Sequence, residues 1–318
     1  MEKIELRKVR DFGALFNDSI AFLRLNFKSL FGIILFLAGP FIIMTGLFSG
    51  YMQSLQSKIV ASSLFPNYFG SNGGLLAADF FGTFGIFFLI YLLTTLVNTA
   101  CICLFFKNYN NSTPEELPLT KDSVSPFLVG ATWRLFYNVL LVTLIMFVLG
   151  LAIVGICAVL FMIPVLNILF GIALIIGCLI ILPILVYIAN VSNYIIIRDE
   201  VLITTAIGKA FRYMRGNFWW TWLLMVAVGI SLLIGLTLFN LPISILNATR
   251  TFVRSADGVS YSSHNSILYI IFGAVALVGQ LLFISPIFST FCIFNFHSQE
   301  EKNEGTGLMS RIDELDIK

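Results

Sequence analysis

Six long apolar stretches dominate the pattern of hydrophobic and polar positions along the chain. A helix that crosses a bilayer needs about 20 mostly apolar residues. The stretches that meet this requirement lie at roughly 29–52, 77–106, 135–161, 165–195, 218–246 and 266–296. The third and fourth are separated only by a turn near Pro164, but together they are far too long for one span. The pattern therefore predicts an all-α, polytopic membrane protein with six transmembrane helices in three hairpins.

The segments between the spans leave no room for a folded soluble domain. We therefore expect a single six-helix transmembrane domain over residues 1–297, followed by a charged tail over residues 298–318. Near the end of the tail, Leu308, Ile312 and Leu315 fall on one face of a helix. Two alternatives stay open, because the tail can dock on the bundle, the membrane or a partner, or can remain a solvated end.

Two polar segments that precede spans have the periodicity of an amphipathic helix. In residues 9–27 the apolar positions step by three or four, which places them on one helical face; they are Val9, Phe12, Phe16, Ile20, Leu23 and Phe27. The second segment begins at Asp199, a residue type that caps helices, and its apolar positions are Ile203, Ile207, Ala210, Met214 and Phe218. Helices of this kind lie in the plane of the membrane interface.

These two segments also share the pattern aromatic–apolar–Arg–x–Asn–Phe. The two copies are Phe22-Leu23-Arg24-Leu25-Asn26-Phe27 and Tyr213-Met214-Arg215-Gly216-Asn217-Phe218. The middle of the chain has a weaker counterpart, with a capping-box signal at residues 113–116 and a stretch over 120–134 that leads into the third span. We therefore predict an interfacial amphipathic helix before each hairpin. Duplication and the simple extension of a helix bundle both remain open as origins of the pattern.

The distribution of charge predicts the orientation. The chain is 58% hydrophobic and 11% charged, with a mean hydropathy of +0.94, so the bilayer is its main solvent. The net charge of +2 is too small to indicate a nucleic-acid partner. Of the 19 Lys and Arg residues, only Lys58, Arg250 and Arg254 lie on the side that is reached after an odd number of crossings. Positive residues accumulate in cytoplasmic loops, so both termini are predicted to be cytoplasmic.

No span carries a signature of catalysis or of metal binding. The apolar runs contain no Asp, Glu, Lys, Arg or His deep inside them, which argues against a proton-coupled carrier and against an intramembrane metalloenzyme. The sequence lacks a phosphate-binding GxxxxGKS/T motif, HExxH and GxSxG. His264 and His297 are predicted on opposite sides of the membrane. We therefore expect no catalytic residue, no cofactor and no metal ligand.

Uncharged polar residues enter the even-numbered spans, mostly toward the predicted cytoplasmic side. The candidate lining of a polar pocket between these spans is Asn98, Asn190, Asn193, Ser285 and Ser289. Pro183 and Pro286 precede two of the polar clusters, and a proline can kink a helix and widen a cavity. The alternative is that these side chains only form hydrogen bonds between helices, as is common in membrane proteins.

Basic residues on the two predicted interfacial helices are candidate contacts to anionic lipids. They are Arg10, Arg24, Lys28, Lys209, Arg212 and Arg215. Each basic group near an anionic membrane surface contributes about 1 kcal/mol to binding. Membrane lipids are therefore the expected partners of this side of the protein.

The ends of the chain resemble a known group of proteins. The N-terminal segment from Arg10-Asp11-Phe12-Gly13 to Phe27 resembles bacterial six-helix proteins of the YciC-like type, which are related to the membrane domain of some glycerophosphoryl diester phosphodiesterases. The residues from Glu304 to Met309 are similar to endings in the Bacteroidetes branch. The resemblance implies a bacterial inner-membrane protein with a role in envelope or lipid homeostasis. It does not imply phosphodiesterase activity, which belongs to a separate soluble barrel.

The patterns predict a non-enzymatic membrane protein that handles lipid, and the resemblance implies that it acts in lipid or envelope homeostasis at the inner membrane. One alternative is a transporter or channel for a neutral or lipidic substrate, which requires the polar pocket. Another is an accessory subunit of a membrane complex that binds a protein partner through the tail.

Overall fold

The computed structural model describes residues 3–64, 73–160, 164–257 and 266–305. Within these ranges the chain is helical almost throughout, and no strand occurs. The helices are α1 (Phe12–Leu37), α2 (Gly39–Leu64), α3 (Gly73–Asn111), α4 (Ser125–Leu160), α5 (Pro164–Asp199), α6 (Ile203–Arg215), α7 (Phe218–Asp257), α8 (Ser266–Gly279) and α9 (Ser285–Glu304). A π-helical turn, Gln280–Ile284, joins α8 to α9.

Six helical stretches in the described part of the chain are long and apolar enough to cross a membrane. They are Phe12–Leu37, Asp79–Asn111, Ser125–Ala152, Leu179–Asp199, Phe218–Thr249 and Ile267–Glu304. This finding rests on length and composition, and it confirms the predicted all-α, polytopic architecture. The chain is thus built as a multi-pass membrane protein.

The first amphipathic segment is not a separate helix. The structure continues it without a break into the first predicted span as α1, and the interruption falls at Ala38, inside that span. The cause is Pro40, which lacks a backbone N–H and cannot donate to the preceding turn. The helical direction is kept because Ala38 N donates to Ile34 O at 2.8 Å and Ile42 N donates to Ala38 O at 2.9 Å.

The segment before the middle hairpin also differs from the prediction. Residues 113–124 contain two single 3₁₀ turns, Pro114–Glu116 and Lys121–Ser123, and α4 begins only at Ser125. The capping box is present, because Thr113 N donates to Glu116 Oε2 at 2.8 Å. It caps one turn and does not start an amphipathic helix.

The predicted tail begins too early. Residues 298–301 are buried and belong to α9, which continues to Glu304. The cause is a buried ion pair, since Arg198 Nη2 lies 2.6 Å from Glu300 Oε1. His297 Nδ1 lies 3.2 Å from the other carboxylate oxygen of Glu300. The amphipathic end of the tail, residues 308–315, falls outside the described residues.

The described chain divides into two compact units. The first contains the described parts of 1–30, 99–230 and 287–318, and the second contains 31–98 and 231–286 where described. Aromatic rings fill the core of the first unit. Phe22 is fully buried, and its ring centroid lies 4.9 Å from those of Phe106 and Tyr109 and 5.3 Å from that of Phe294.

Close helix packing builds the second unit. Along α2 and α8, a Cβ atom placed on Gly273 would come within 2.5 Å of the Cα of Gly50. Small residues allow helices to approach closely in lipid. The hydroxyl groups of Thr45 and Thr94, which lie 2.6 Å apart, connect α2 to α3 in the same unit.

Candidate functional site

A groove of about 940 Å³ lies along the middle of α1, over residues 20–29. Its walls are mostly apolar, and it carries two cationic side chains. The lining residues are Ile20, Leu23, Arg24, Leu25, Phe27, Lys28, Ser29, Pro118 and Leu119. An apolar surface beside basic groups is complementary to an anionic lipid. The apolar surface can cover acyl chains, and the basic groups can bind the charged headgroup.

The amphipathicity of α1 produces this groove. One face of the helix is buried in the first unit through Leu15, Ser19, Phe22 and Asn26. The remaining face is therefore exposed, including Phe27, of which 48% is accessible. The other wall is held in place because Ser29 Oγ donates a hydrogen bond to the carbonyl oxygen of Leu119.

The electrostatics of the groove favour an anion. Arg24 and Lys28 are exposed, and neither forms an ion pair with any other described residue. They are four residues apart on one helix, where like charges repel each other. A negative group bound between them would relieve this repulsion and form charge-assisted hydrogen bonds.

The second amphipathic helix, α6, has fewer exposed basic side chains that lack a partner among the described residues. Arg212 and Arg215 are exposed, and the Arg212 guanidinium lies 5.2 Å from the ring centroid of Tyr213. Lys209 Nζ lies 2.8 Å from Asp199 Oδ2. Among the basic residues of this helix, only Arg215 is exposed and has no partner among the described residues.

Arg10 is buried, and its prediction as a lipid contact is wrong. Only 1% of its side chain is accessible, and its Nε lies 2.7 Å from Asp18 Oδ2. Its Nη1 donates to the carbonyl oxygens of Leu6 at 2.7 Å and Lys8 at 3.1 Å. With its donors committed inside the protein, Arg10 fixes the N-terminal segment on α1.

Within the second unit, Asn98 and Ser285 meet at the π-helical turn. Pro286 cannot donate a backbone hydrogen bond, which disturbs the regular helical ladder before it. Asn98 Nδ2 donates to the carbonyl oxygen of Leu281 at 3.0 Å and lies 3.4 Å from Ser285 Oγ. Asn98 thus supplies a hydrogen bond to a carbonyl group at the irregularity, and its amide stabilises the local helix structure.

Within the first unit, the other candidate pocket residues also form hydrogen bonds between helices. Ser289 Oγ donates to Asn190 Oδ1 at 3.2 Å. Asn193 Oδ1 accepts from Asn138 Nδ2 at 2.5 Å. None of the five candidate residues lines the groove on α1. These contacts fit the alternative of hydrogen bonds between packed helices.

Asn138 escaped the sequence reasoning because it is the only amide side chain in the odd-numbered third span. It is fully buried and lies 3.3 Å from Ser192 Oγ in addition to its contact with Asn193. A solitary asparagine in an apolar run is the signal that could have revealed it, since such a side chain needs a polar partner.

The described residues contain no group of three or more His, Cys, Asp or Glu side chains that could hold a metal ion. Comparisons of the chain with protein families, with curated proteins and with solved structures found no match. The groove on α1 is therefore the candidate site on the basis of its geometry alone.

Proposed function

We propose that the protein is a non-enzymatic inner-membrane protein that binds anionic phospholipids along α1, as part of lipid or envelope homeostasis. The observation that carries the proposal is the groove itself, where Arg24 and Lys28 stand beside the apolar side chains of Ile20, Leu23 and Phe27. The headgroup would contact the two cations, and an acyl chain would cover the apolar wall.

The proposed orientation places this groove at the cytoplasmic leaflet. The excess of Lys and Arg on the side of both termini supports it. That leaflet is rich in anionic lipids, whose surface potential attracts basic segments. The groove and the exposed Arg215 of the second amphipathic helix would then face the same population of headgroups.

Native mass spectrometry of the full-length protein in mild detergent tests the proposal. The protein is titrated with phosphatidylglycerol, and separately with phosphatidylcholine as a neutral-headgroup control. Two basic groups at about 1 kcal/mol each correspond to an affinity change of about thirtyfold. We expect the affinity of the double variant R24Q/K28Q for phosphatidylglycerol to fall by at least about tenfold, and its affinity for phosphatidylcholine to change little.

A control for the loss of one positive charge is Lys302→Gln, which removes an exposed charge outside the groove and is compared with the single variants R24Q and K28Q. Lys302 Nζ contacts Asn217 Oδ1 at 3.0 Å, and Lys302 is not among the lining residues. Equal retention of phosphatidylglycerol by R24Q/K28Q and by the wild type would refute lipid binding at this groove. If R24Q/K28Q retained the lipid in this way and also co-purified with a stoichiometric protein, the accessory-subunit alternative would be favoured instead.

A further inference from the structure

A second cationic site lies where α5 ends, and it is occupied by a side chain of the protein itself. Lys107 Nζ is 2.9 Å from Glu200 Oε1, and Arg134 Nη1 is 3.1 Å from Glu200 Oε2. Each carboxylate oxygen therefore takes one cation. This is also how two oxygens of a phosphate group engage Lys and Arg.

The backbone of Glu200 adopts a conformation that its residue type disfavours. Its φ is 55°, in the left-handed region, immediately after the last residue of α5. Glycine, and less often asparagine, normally occupies this position after a helix because a Cβ atom is crowded there. Non-glycine residues in such conformations cluster at ligand and switch sites.

A cavity of about 260 Å³ adjoins the same three charged side chains. Its remaining walls come from α3, α4 and the end of α5, and they are largely apolar; they are Leu104, Asn108, Pro126, Phe127, Gly130, Ala131 and Ile197. The side chain of Glu200 is 53% accessible and that of Arg134 is 50% accessible. Ion pairs this exposed are weak, so an external anion can compete with the carboxylate.

We propose that Lys107 and Arg134 form a binding site for a phosphate group, and that Glu200 occupies it as an intramolecular substitute for the ligand. Displacement of Glu200 opens the site, and the adjacent apolar walls accommodate part of a lipid that carries the phosphate. The site shares no residue with the groove on α1, so it goes beyond the function proposed above.

Neutralising the substitute ligand tests the proposal most directly. The apparent affinity of a site that is only partly open falls by the open fraction. If Glu200 leaves the site open about one tenth to one third of the time, E200Q raises affinity by about three- to tenfold. The measurement is native mass spectrometry of the full-length protein with phosphatidylglycerol. E200G, which also removes the backbone crowding, should give at least the same gain.

Three comparisons make the result specific. Glu115→Gln removes an exposed carboxylate elsewhere and controls for the change in net charge. K107Q and R134Q, each placed on E200Q, should abolish the gain, whereas R24Q/K28Q on E200Q should preserve it. Melting curves confirm that each variant is folded.

Inorganic phosphate distinguishes the two sources of the phosphate group. If millimolar phosphate competes with phosphatidylglycerol in E200Q, the site takes the phosphate group alone; if it does not, the site requires the lipid. Equal lipid affinity of E200Q, E115Q and the wild type would overturn the proposal. If R24Q/K28Q lost phosphatidylglycerol binding and substitution of Glu200 had no effect on it, the proposal for the groove on α1 would stand and the proposal for this second site would fail.

Discussion

The two copies of the aromatic–apolar–Arg–x–Asn–Phe pattern place their first residue against the same helix. The Phe22 ring packs 5.3 Å from Phe294, and the Tyr213 ring packs 5.6 Å from Phe296, with both partners on α9. The buried positions before each ring also correspond. Leu15 and Ser19 precede Phe22, as Ala206 and Ala210 precede Tyr213, and all are buried.

An arginine accompanies the partner ring in both copies. The Arg10 guanidinium lies 5.0 Å from the ring centroid of Phe294, and the Arg198 guanidinium lies 5.0 Å from that of Phe296. Both arginines precede an aspartate and an amphipathic helix. The second copy, however, has three additional residues between the Arg-Asp pair and its helix, starting with Glu200.

The copies differ in whether the helix continues beyond the motif. In the first, Leu25 is at the x position, Asn26 Nδ2 donates to Phe22 O at 3.1 Å, and α1 runs on. In the second, Gly216 is at that position and α6 ends. Glycine has about 1 kcal/mol lower helix propensity than alanine. The aromatic position thus fixes the contact with α9, while the x position influences whether the helix ends.

The largest expected effect is at the aromatic position. We expect F22A to lower the free energy of unfolding by about 3–5 kcal/mol, because it empties a fully buried site between several rings. Y213A should cost less, because Tyr213 packs against fewer rings in the described chain. Unfolding in detergent with increasing denaturant measures both. An equal loss for the two variants would contradict the comparison.

A smaller effect separates two arginines of the first copy. We expect R10Q to destabilise the fold by about 2 kcal/mol, because hydrogen bonds to a charged, buried guanidinium are lost. R24Q should change stability by less than about 0.5 kcal/mol, since exposed residues tolerate substitution. The same unfolding assay compares them, with lipid retention as the second readout. Stability loss in R24Q that matches R10Q would show that Arg24 is structural.

Substitutions at the x position should have opposite signs. L25G is expected to destabilise by about 1 kcal/mol, because glycine weakens a continuous helix. G216A is expected to stabilise by about 0.4–1 kcal/mol, because Gly216 has φ −66° and ψ −21°, which alanine adopts readily. Apart from Gly216 and its two neighbours in the chain, no described residue has an atom within 4 Å of the Cβ position at Gly216. Helix content by circular dichroism and unfolding should agree, and destabilisation by G216A would be the opposite result.

The sequence allowed prediction of the features that follow from periodicity alone. The apolar runs after the first correspond to the long helical stretches, whereas the first run, 29–52, is divided between α1 and α2 at Ala38. The amphipathic stripe of α6 was recognisable because apolar residues recur at helical spacing. The groove on α1 could be anticipated only in part. Arg24 and Lys28 were candidates from their placement, whereas Pro118 and Leu119 join the groove through tertiary packing.

Features that depend on a distant partner could not be predicted. Arg10 and Arg24 have the same chemistry and lie on the same segment, but Asp18 and three backbone carbonyls hold Arg10 inside the protein. The polar residues 298–301 were predicted to belong to the tail because Arg198, the partner of Glu300, is about a hundred residues away in the sequence. The pairing of Asn138 with Asn193 is of the same kind.

The smallest effect concerns the three residues that only the second copy has. Lys107 and Arg134 hold the pKa of Glu200 below its usual value of 4.5 through hydrogen bonds and charge attraction. A carboxyl group with a lowered pKa in the folded state stabilises the fold above the unfolded value, and this contribution disappears as the pH falls through the folded pKa. The melting temperature of the wild type should therefore exceed that of E200Q at neutral pH, and the two should converge in acid.

Melting curves between about pH 3 and about pH 7 measure this convergence. E115Q is the control for the change in net charge, because Glu115 lies in an exposed 3₁₀ turn and forms no ion pair with another described residue. A constant difference between E200Q and the wild type across this range would show that the Glu200 carboxylate does not stabilise the fold through Lys107 and Arg134. Convergence would show that the insertion after Asp199, which the first copy lacks, adds its own electrostatic contact to an otherwise shared arrangement.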